Sequence, residues 1–420
     1  MVTNSKGDIV IHQKYKKKTK GLYIFIVLFS LYFAQGILYP VGTFISQILL
    51  LLLLIWGFVS MIKTIKLRQK PSIVRIFTFF SLMLIVTWLV SPKIVNGTVL
   101  EMIGKVRTFA QFKDEMGFCL MFFIGFNISK FTHATKNTFL IISIILTFLS
   151  VVNFTYTSIQ LSNLTGREEN TVNTAYNFVS LLPLYAMAFK NHPKAITGIL
   201  FICVFYVILG AKRGAIVCLC ASLLYGFYWY NHNYKLGTLK RVLALFLILG
   251  LFAIAYYWYT QNEYLVDRVS YTEENGIGMR EIGYAVMFNH WINDKNILSQ
   301  LFGNGTSQTI NVWGNYGHND WLELLIDNGL LGVSIYALVF VFAFYFVIKK
   351  ISDPILQLTS FLCVIIWFLK TCFSMGYTDL FSGIITFVLG YCIRKSILND
   401  RTHKFYKNIV TYDSGKLQLR

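Results

Sequence analysis

Proline is scarce in this sequence, 6 of 420 residues, and acidic side chains number 19 against 38 basic ones. So few prolines leave long helices unbroken, because each proline removes a backbone donor and crowds the preceding turn. Charge is also nearly missing from the middle of the apolar runs, which recur at about 17–22 residues, long enough for a helix to cross roughly 30 Å of hydrocarbon. That absence argues against transport of ions or charged solutes, since a pathway retains costly ionisable groups at mid-membrane. The seven cysteines, Cys119, Cys203, Cys218, Cys220, Cys363, Cys372 and Cys392, all fall within or at the ends of those runs. They indicate neither a disulfide framework nor a cysteine metal site.

What is abundant is apolar surface: 55% of residues are hydrophobic and 17% aromatic. The expected fold is all-α, a polytopic integral membrane protein of about 12 transmembrane helices. The spans read as 22–38, 44–62, 75–91, 115–129, 138–155, 175–189, 195–210, 214–230, 241–259, 329–348, 355–373 and 379–393. The chain divides into a basic cytoplasmic tail (1–21), nine spans (22–259), a large extracytoplasmic loop (260–328), three spans (329–393) and a second cytoplasmic tail (394–420). Lys14, Lys16, Lys17, Lys18 and Lys20 precede the first span, which is read as uncleaved because no small-residue cleavage site follows it. With both termini cytoplasmic, about 27 of the 38 basic residues and only about 4 of the 19 acidic ones lie inside. The net charge of +19 is therefore a topology signal directed at the anionic inner leaflet, and no nucleic-acid partner is expected.

Two outer segments are longer than a connector needs to be. Residues 92–114 are partly apolar and read as lying on or dipping into the membrane surface. Residues 260–328 form the large hydrophilic insertion, and loops of that length usually carry function. Within it Ile282, Ala285, Val286 and Phe288 have helical spacing, which predicts a short helix over Met279–Trp291. Further on, Asp320, Glu323 and Asp327 fall at i, i+3 and i+7, the pattern of one wet helix face, with Trp321, Leu324 and Leu325 pointing elsewhere. Gly329 and Gly332 then place small residues one turn apart, where a neighbouring helix can approach closely.

Three residues at the outer boundary invite chemistry. Arg213, beside Lys212 in the short outer turn GAKRGA, either snorkels to lipid phosphate or contacts an anion that Gly210 and Gly214 leave room for. Arg280, at the start of the loop helix, either pairs with Glu273, Glu274 or Glu281 or serves a bound anion. His318 sits among Gly303, Gly305, Gly314 and Gly317 and is either a surface residue or a proton acceptor of suitable pKa. No nucleophile elbow and no HExxH-type spacing surrounds it, so neither covalent catalysis nor a metal site is suggested.

His318-Asn319, nine residues, then Gly329-Leu330-Leu331-Gly332 resembles the H-[N/S]-x9-G-x-x-G signature of the O-antigen ligase and O-antigen polymerase superfamily. Arg213-Gly214 after a span, Arg280 entering the loop helix and the Gly303-Asn304-Gly305 turn are similar to that family's other landmarks, in the same order. One departure is Val217, where the family often has leucine four residues after its first arginine. The resemblance implies a GT-C-like glycosyltransferase of the bacterial inner membrane, with its active site on the extracytoplasmic face. Its donor would be a polyprenyl-diphosphate-linked oligosaccharide, with membrane lipid, a chain-length regulator and a flippase as further partners and no cofactor. Arg213 and Arg280 would neutralise the diphosphate leaving group, and His318 would take the proton of the attacking sugar hydroxyl. Lys212, Asn319, Asp320 and Glu323 are the expected substrate-binding residues, Asp320 or Glu323 alternatively orienting the histidine. A polysaccharide repeat-unit polymerase is the favoured member; a ligase acting on lipid A core or protein is the alternative. A lipid-linked oligosaccharide flippase is the reading from another class.

The charge asymmetry gives a direct topology test. A reporter fused after Asn231 should read cytoplasmic and one fused at Asn275 extracytoplasmic; reversal at either site would put the large loop on the wrong side of the membrane.

Overall fold

The computed structural model describes residues 21–35, 44–68, 70–91, 99–129, 137–165, 172–234 and 279–417, with isolated positions between 237 and 261. The basic tail 1–20, most of the expected span 241–259, and Glu273 and Glu274 with the turn before Arg280 lie outside the described residues. Among those described, the chain is helical and no strand occurs. The helices are α1 (Gly21–Gln35), α2 (Phe44–Ile65), α3 (Ser72–Val90), α4 (Val99–Ile128), α5 (Thr138–Thr165), α6 (Ala175–Ser180), α7 (Leu182–Phe189), α8 (Pro193–Leu209) and α9 (Arg213–Tyr234). After the large loop begins come α10 (Met279–Ile292), α11 (Ile297–Phe302), α12 (Gln308–Trp313), α13 (Asp320–Lys350), α14 (Pro354–Phe373), a 3₁₀ turn at Leu380–Ser382 and α15 (Gly383–Leu417).

Six of these, α2, α3, α5, α9, α13 and α14, are long and apolar enough to cross a membrane, while α1, α6–α7 and α8 are shorter apolar helices. Large apolar side chains such as Phe79, Phe148, Phe205 and Val341 are exposed on their outer faces. That is the make-up of a helical membrane protein, whose outer surface meets lipid.

Local sequence explains where the helices start and break. Asp353 caps α14 by accepting from Ile355 N (2.9 Å) and Leu356 N (3.0 Å), with Pro354 at the first turn, where a missing N–H costs nothing. Pro183 cannot donate to the carbonyl four residues back, and the expected span 175–189 divides into α6 and α7 just before it. The expected span 115–129 is the second half of one 30-residue helix, α4, whose first half is residues 99–114 of the expected outer segment; residues 92–98 lie outside the described residues.

The core is the contact of α4 with α15. A Cβ on Gly390 would stand 2.2 Å from the Phe122 carbonyl oxygen, and one on Gly125 would stand 2.0 Å from that of Phe387. Thr386 adds a hydrogen bond to the Phe118 carbonyl (2.7 Å) across the same seam. Small residues that let backbones touch are the usual means of helix association in a bilayer. Beside this seam an aromatic cluster, Phe77, Phe80, Phe122, Tyr336, Phe340 and Trp367, joins α3, α4, α13 and α14.

Gly329 divides α13. Its φ of 64° and ψ of −165° interrupt the helix, so an outer segment, 320–328, is separated from the long apolar segment that follows. The close neighbour at Gly329 is the Leu301–Gly303 backbone, about where a Cβ would have to sit, and Gly332 faces Asn328 of its own helix. The expected use of these two glycines to admit a neighbouring membrane helix is thus corrected: Gly329 admits a turn of the large loop, and Gly332 makes room for the Asn328 side chain.

The glycine seam predicts a contrast. Gly390→Ala should destabilise the purified protein by roughly 1–3 kcal/mol, the usual cost of overpacking. Gly198→Ala, which meets open space in α8, should be neutral or stabilise by up to about 1 kcal/mol. Thermal unfolding in detergent measures both, and a tolerant Gly390 would remove the seam from the core.

Candidate functional site

The site is built on the acidic stripe of the outer segment of α13. Asp320, Glu323 and Asp327 are 0%, 0% and 1% exposed, so the wet face expected from their spacing is instead buried. The reason is that loops fold over it and donate backbone N–H groups, the condition under which a carboxylate tolerates burial.

Each acid holds a different loop. Asp327 accepts from Ser307 N (2.9 Å) and Gln308 N (2.9 Å) at the start of α12, and from Gln111 Nε2 of α4 (3.0 Å). Gln111 also donates to Glu115 (2.9 Å) and accepts from Ser307 Oγ (2.6 Å). Glu323 accepts from Gly317 N (2.8 Å), directly before His318. Asp320 accepts from Gly376 N (2.8 Å), Tyr377 N (3.2 Å) and the Tyr336 hydroxyl (2.8 Å), which in turn accepts from Trp367 Nε1 (2.8 Å). Asp320 and Glu323, expected as substrate contacts or as groups that orient the histidine, are buried here as acceptors for loop N–H groups, Glu323 for that of the residue before His318.

His318 emerges from this framework half-buried, with φ of 50°, in the left-handed region. Its neighbour Asn319 caps α13, accepting from Trp321 N (3.0 Å) and Leu322 N (3.3 Å). The Asn319 side-chain oxygen is thus occupied by the fold. On the other side, Met287 of α10 packs against Gly317, where a Cβ would stand 3.2 Å from both Met287 and Glu323.

Arg280, in the first turn of α10, donates to the Phe373 carbonyl at the end of α14 (3.3 Å). Burial, and then the positive charges of Arg280 and Lys212, hold the His318 imidazole below its ordinary pKa. Lys212 follows Ala211, which turns the chain through a left-handed conformation (φ 47°). Of the two basic residues in that turn, Lys212 is half-buried and bears on His318, whereas Arg213 is exposed at the first residue of α9. The helix expected over Met279–Trp291 is found as α10, with Arg280 in the expected place.

His318 also lines a cavity of about 440 Å³. Its other walls come from α1, α4, α5, α6, the end of α14 and the segment 374–381. Lys370, 2% exposed, enters this wall bound to Asp379 and to Ser382 Oγ (2.6 Å), with its ammonium 5.1 Å from the Tyr176 ring centroid. The pattern reading passed over Lys370, Asp379, Asp114 and Asn177, all of which line the cavity. A lysine near the outer end of a span, against the inside bias of basic residues, was the one available signal. Among the described residues, no group of three or more His, Cys, Asp or Glu could hold a metal ion. No protein-family model and no curated protein matches the chain.

The hold of Glu323 on Gly317 can be tested directly. Glu323→Ala strands a buried N–H and should cost about 1–3 kcal/mol of stability, while Glu323→Gln keeps an acceptor and should cost less than about half of that. Equal losses in thermal unfolding would show that the carboxylate does not hold the histidine loop.

Proposed function

We propose that the chain is a membrane glycosyltransferase that moves a glycan from a polyprenyl-diphosphate carrier to a sugar hydroxyl of a second lipid-linked unit, the reaction of a polysaccharide repeat-unit polymerase. The observation that carries this reading is His318 beside Arg280 and Lys212, in a loop anchored by buried carboxylates and open to a cavity. An imidazole kept neutral by burial and by two cations is a proton acceptor at pH 7. The same cations suit a diphosphate, which they can hold and stabilise as charge grows on it.

In this reaction the acceptor hydroxyl loses its proton to His318 as its oxygen bonds to the anomeric carbon of the donor. The bond from that carbon to the diphosphate oxygen breaks, and the electron pair leaves with the carrier. One displacement inverts the anomeric centre. Arg280 and Lys212 hold the diphosphate, with Arg213 adjoining Lys212 in the chain. The proposed setting is the bacterial inner membrane, with about 12 spans, cytoplasmic termini and the site on the extracytoplasmic face.

Single-turnover transfer from a purified lipid-linked donor tests the assignment. His318→Ala should lower the rate about 100-fold or more while donor affinity stays near that of the wild type. Arg280→Ala should weaken both, and Arg280→Lys should recover part, since an ammonium keeps the charge but not the fork. The wild-type rate should fall with acid on a limb below pH 6.5, the ordinary histidine value. Removing the Arg280 charge relieves the imidazolium and should move that limb to higher pH. Transfer by His318→Ala at the wild-type rate would defeat the base role, and translocation of the lipid-linked glycan without transfer would favour a flippase.

A further inference from the structure

The positive charges of Lys212 and Arg280 act on His318, and neither residue is among those that line the cavity. The described lining of that cavity contains one lysine, Lys370, already bound to Asp379 and Ser382. Asp114 also lines the chamber, so its net character is not that of an anion site.

The amides of the wall point to its occupant. Asn177 of α6 is 7% exposed and lines the cavity, and its side chain makes no hydrogen bond among the described residues. A buried amide is costly to leave unpaired, so this one marks the place of a polar ligand. Asn153 of α5 and Asn173, just before α6, bring two more amides to the same wall. The Thr174 and Thr378 hydroxyls, in residues that also line it, have no hydrogen-bond partner among the described residues. Amides both donate and accept, as do sugar hydroxyls; a phosphate only accepts, and here it would meet carboxylates. Opposite chemistry completes the chamber: Phe29, Tyr32, Phe33 and Phe381 supply apolar ring surface, with Phe33 and Phe381 4.5 Å apart between centroids. A largely apolar pocket with a few placed polar groups, of about 300–1,000 Å³, is the usual form of a small-molecule site.

We infer that this chamber seats the acceptor sugar, an uncharged pyranose whose hydroxyls bond to Asn177 and Asn153, with the attacking hydroxyl presented to His318. The inference rests on reading the chain as a glycosyl-transfer enzyme, and it divides the site into a cationic part for the donor diphosphate and an amide chamber for the acceptor.

The test uses the full chain in lipid nanodiscs and, as probe, the oligosaccharide repeat released by mild acid from the lipid-linked pool of the same cells. Asn177→Leu and Asn153→Leu, on different helices and each checked for a wild-type unfolding temperature, should weaken probe binding about tenfold or more. In single-turnover transfer they should raise the acceptor KM and leave donor affinity unchanged. Unchanged probe affinity in both variants, or no binding of the probe to wild type, overturns the inference. Loss of donor affinity in place of acceptor affinity also overturns it, because the chamber would then belong to the donor sugar. Probe binding that depends on Asn177, in a wild-type protein that transfers no glycan, leaves the sugar chamber standing and defeats the glycosyl-transfer reading instead.

Discussion

Three carboxylates on one short helical segment, removed from water and each accepting from a backbone N–H of another segment, are the constraint on which the site depends. Asp320, Glu323 and Asp327 can be buried only while the loops at 376–377, 317 and 307–308 stay in place. The dependence is mutual, since each of those N–H groups would otherwise be buried without a partner. Loops that would be expected to move are in this way fixed to a helix. The histidine inherits that rigidity without itself being part of the bonding.

His318 thus occupies a boundary between fixed elements. Asn319 turns the chain into α13, Glu323 holds the residue before it, and α10 packs from the side through Met287. The lowered basicity follows from this position, because the burial that fixes the ring also removes the water that would solvate its charge. One imidazole feels the charge of two cations and also forms part of the wall of an amide-lined chamber.

Much of the scaffold was legible in the sequence. The α10 helix announced itself by apolar spacing and α14 by its apolar run, whereas the break before Pro183 divides a stretch that its composition presents as one span. The site was legible in part. Periodicity showed that Asp320, Glu323 and Asp327 share a face, but it cannot show what lies across that face, and an acidic stripe is usually wet. Their partners are backbone groups tens of residues away, which leave no mark on composition. Lys212 and Arg213 are adjacent and chemically alike, and only the left-handed turn at Ala211 distinguishes their environments. Asn177, near the start of an apolar run, reads as a tolerated polar residue until the cavity beside it is seen.

Gly303 and Gly329 meet back to back, and Asn304 and Gly305 donate to the Ile326 and Asp327 carbonyls at 2.9 and 3.0 Å. The chain between them is therefore a ring of roughly 25 residues stapled at its neck, with the histidine on its circumference, and the entropy of closing it is lost once and locally. What happens upstream of the neck does not change the perimeter. The length of the chain leading from α9 to α10 can vary without altering the distance, counted along the ring, from its neck to the imidazole.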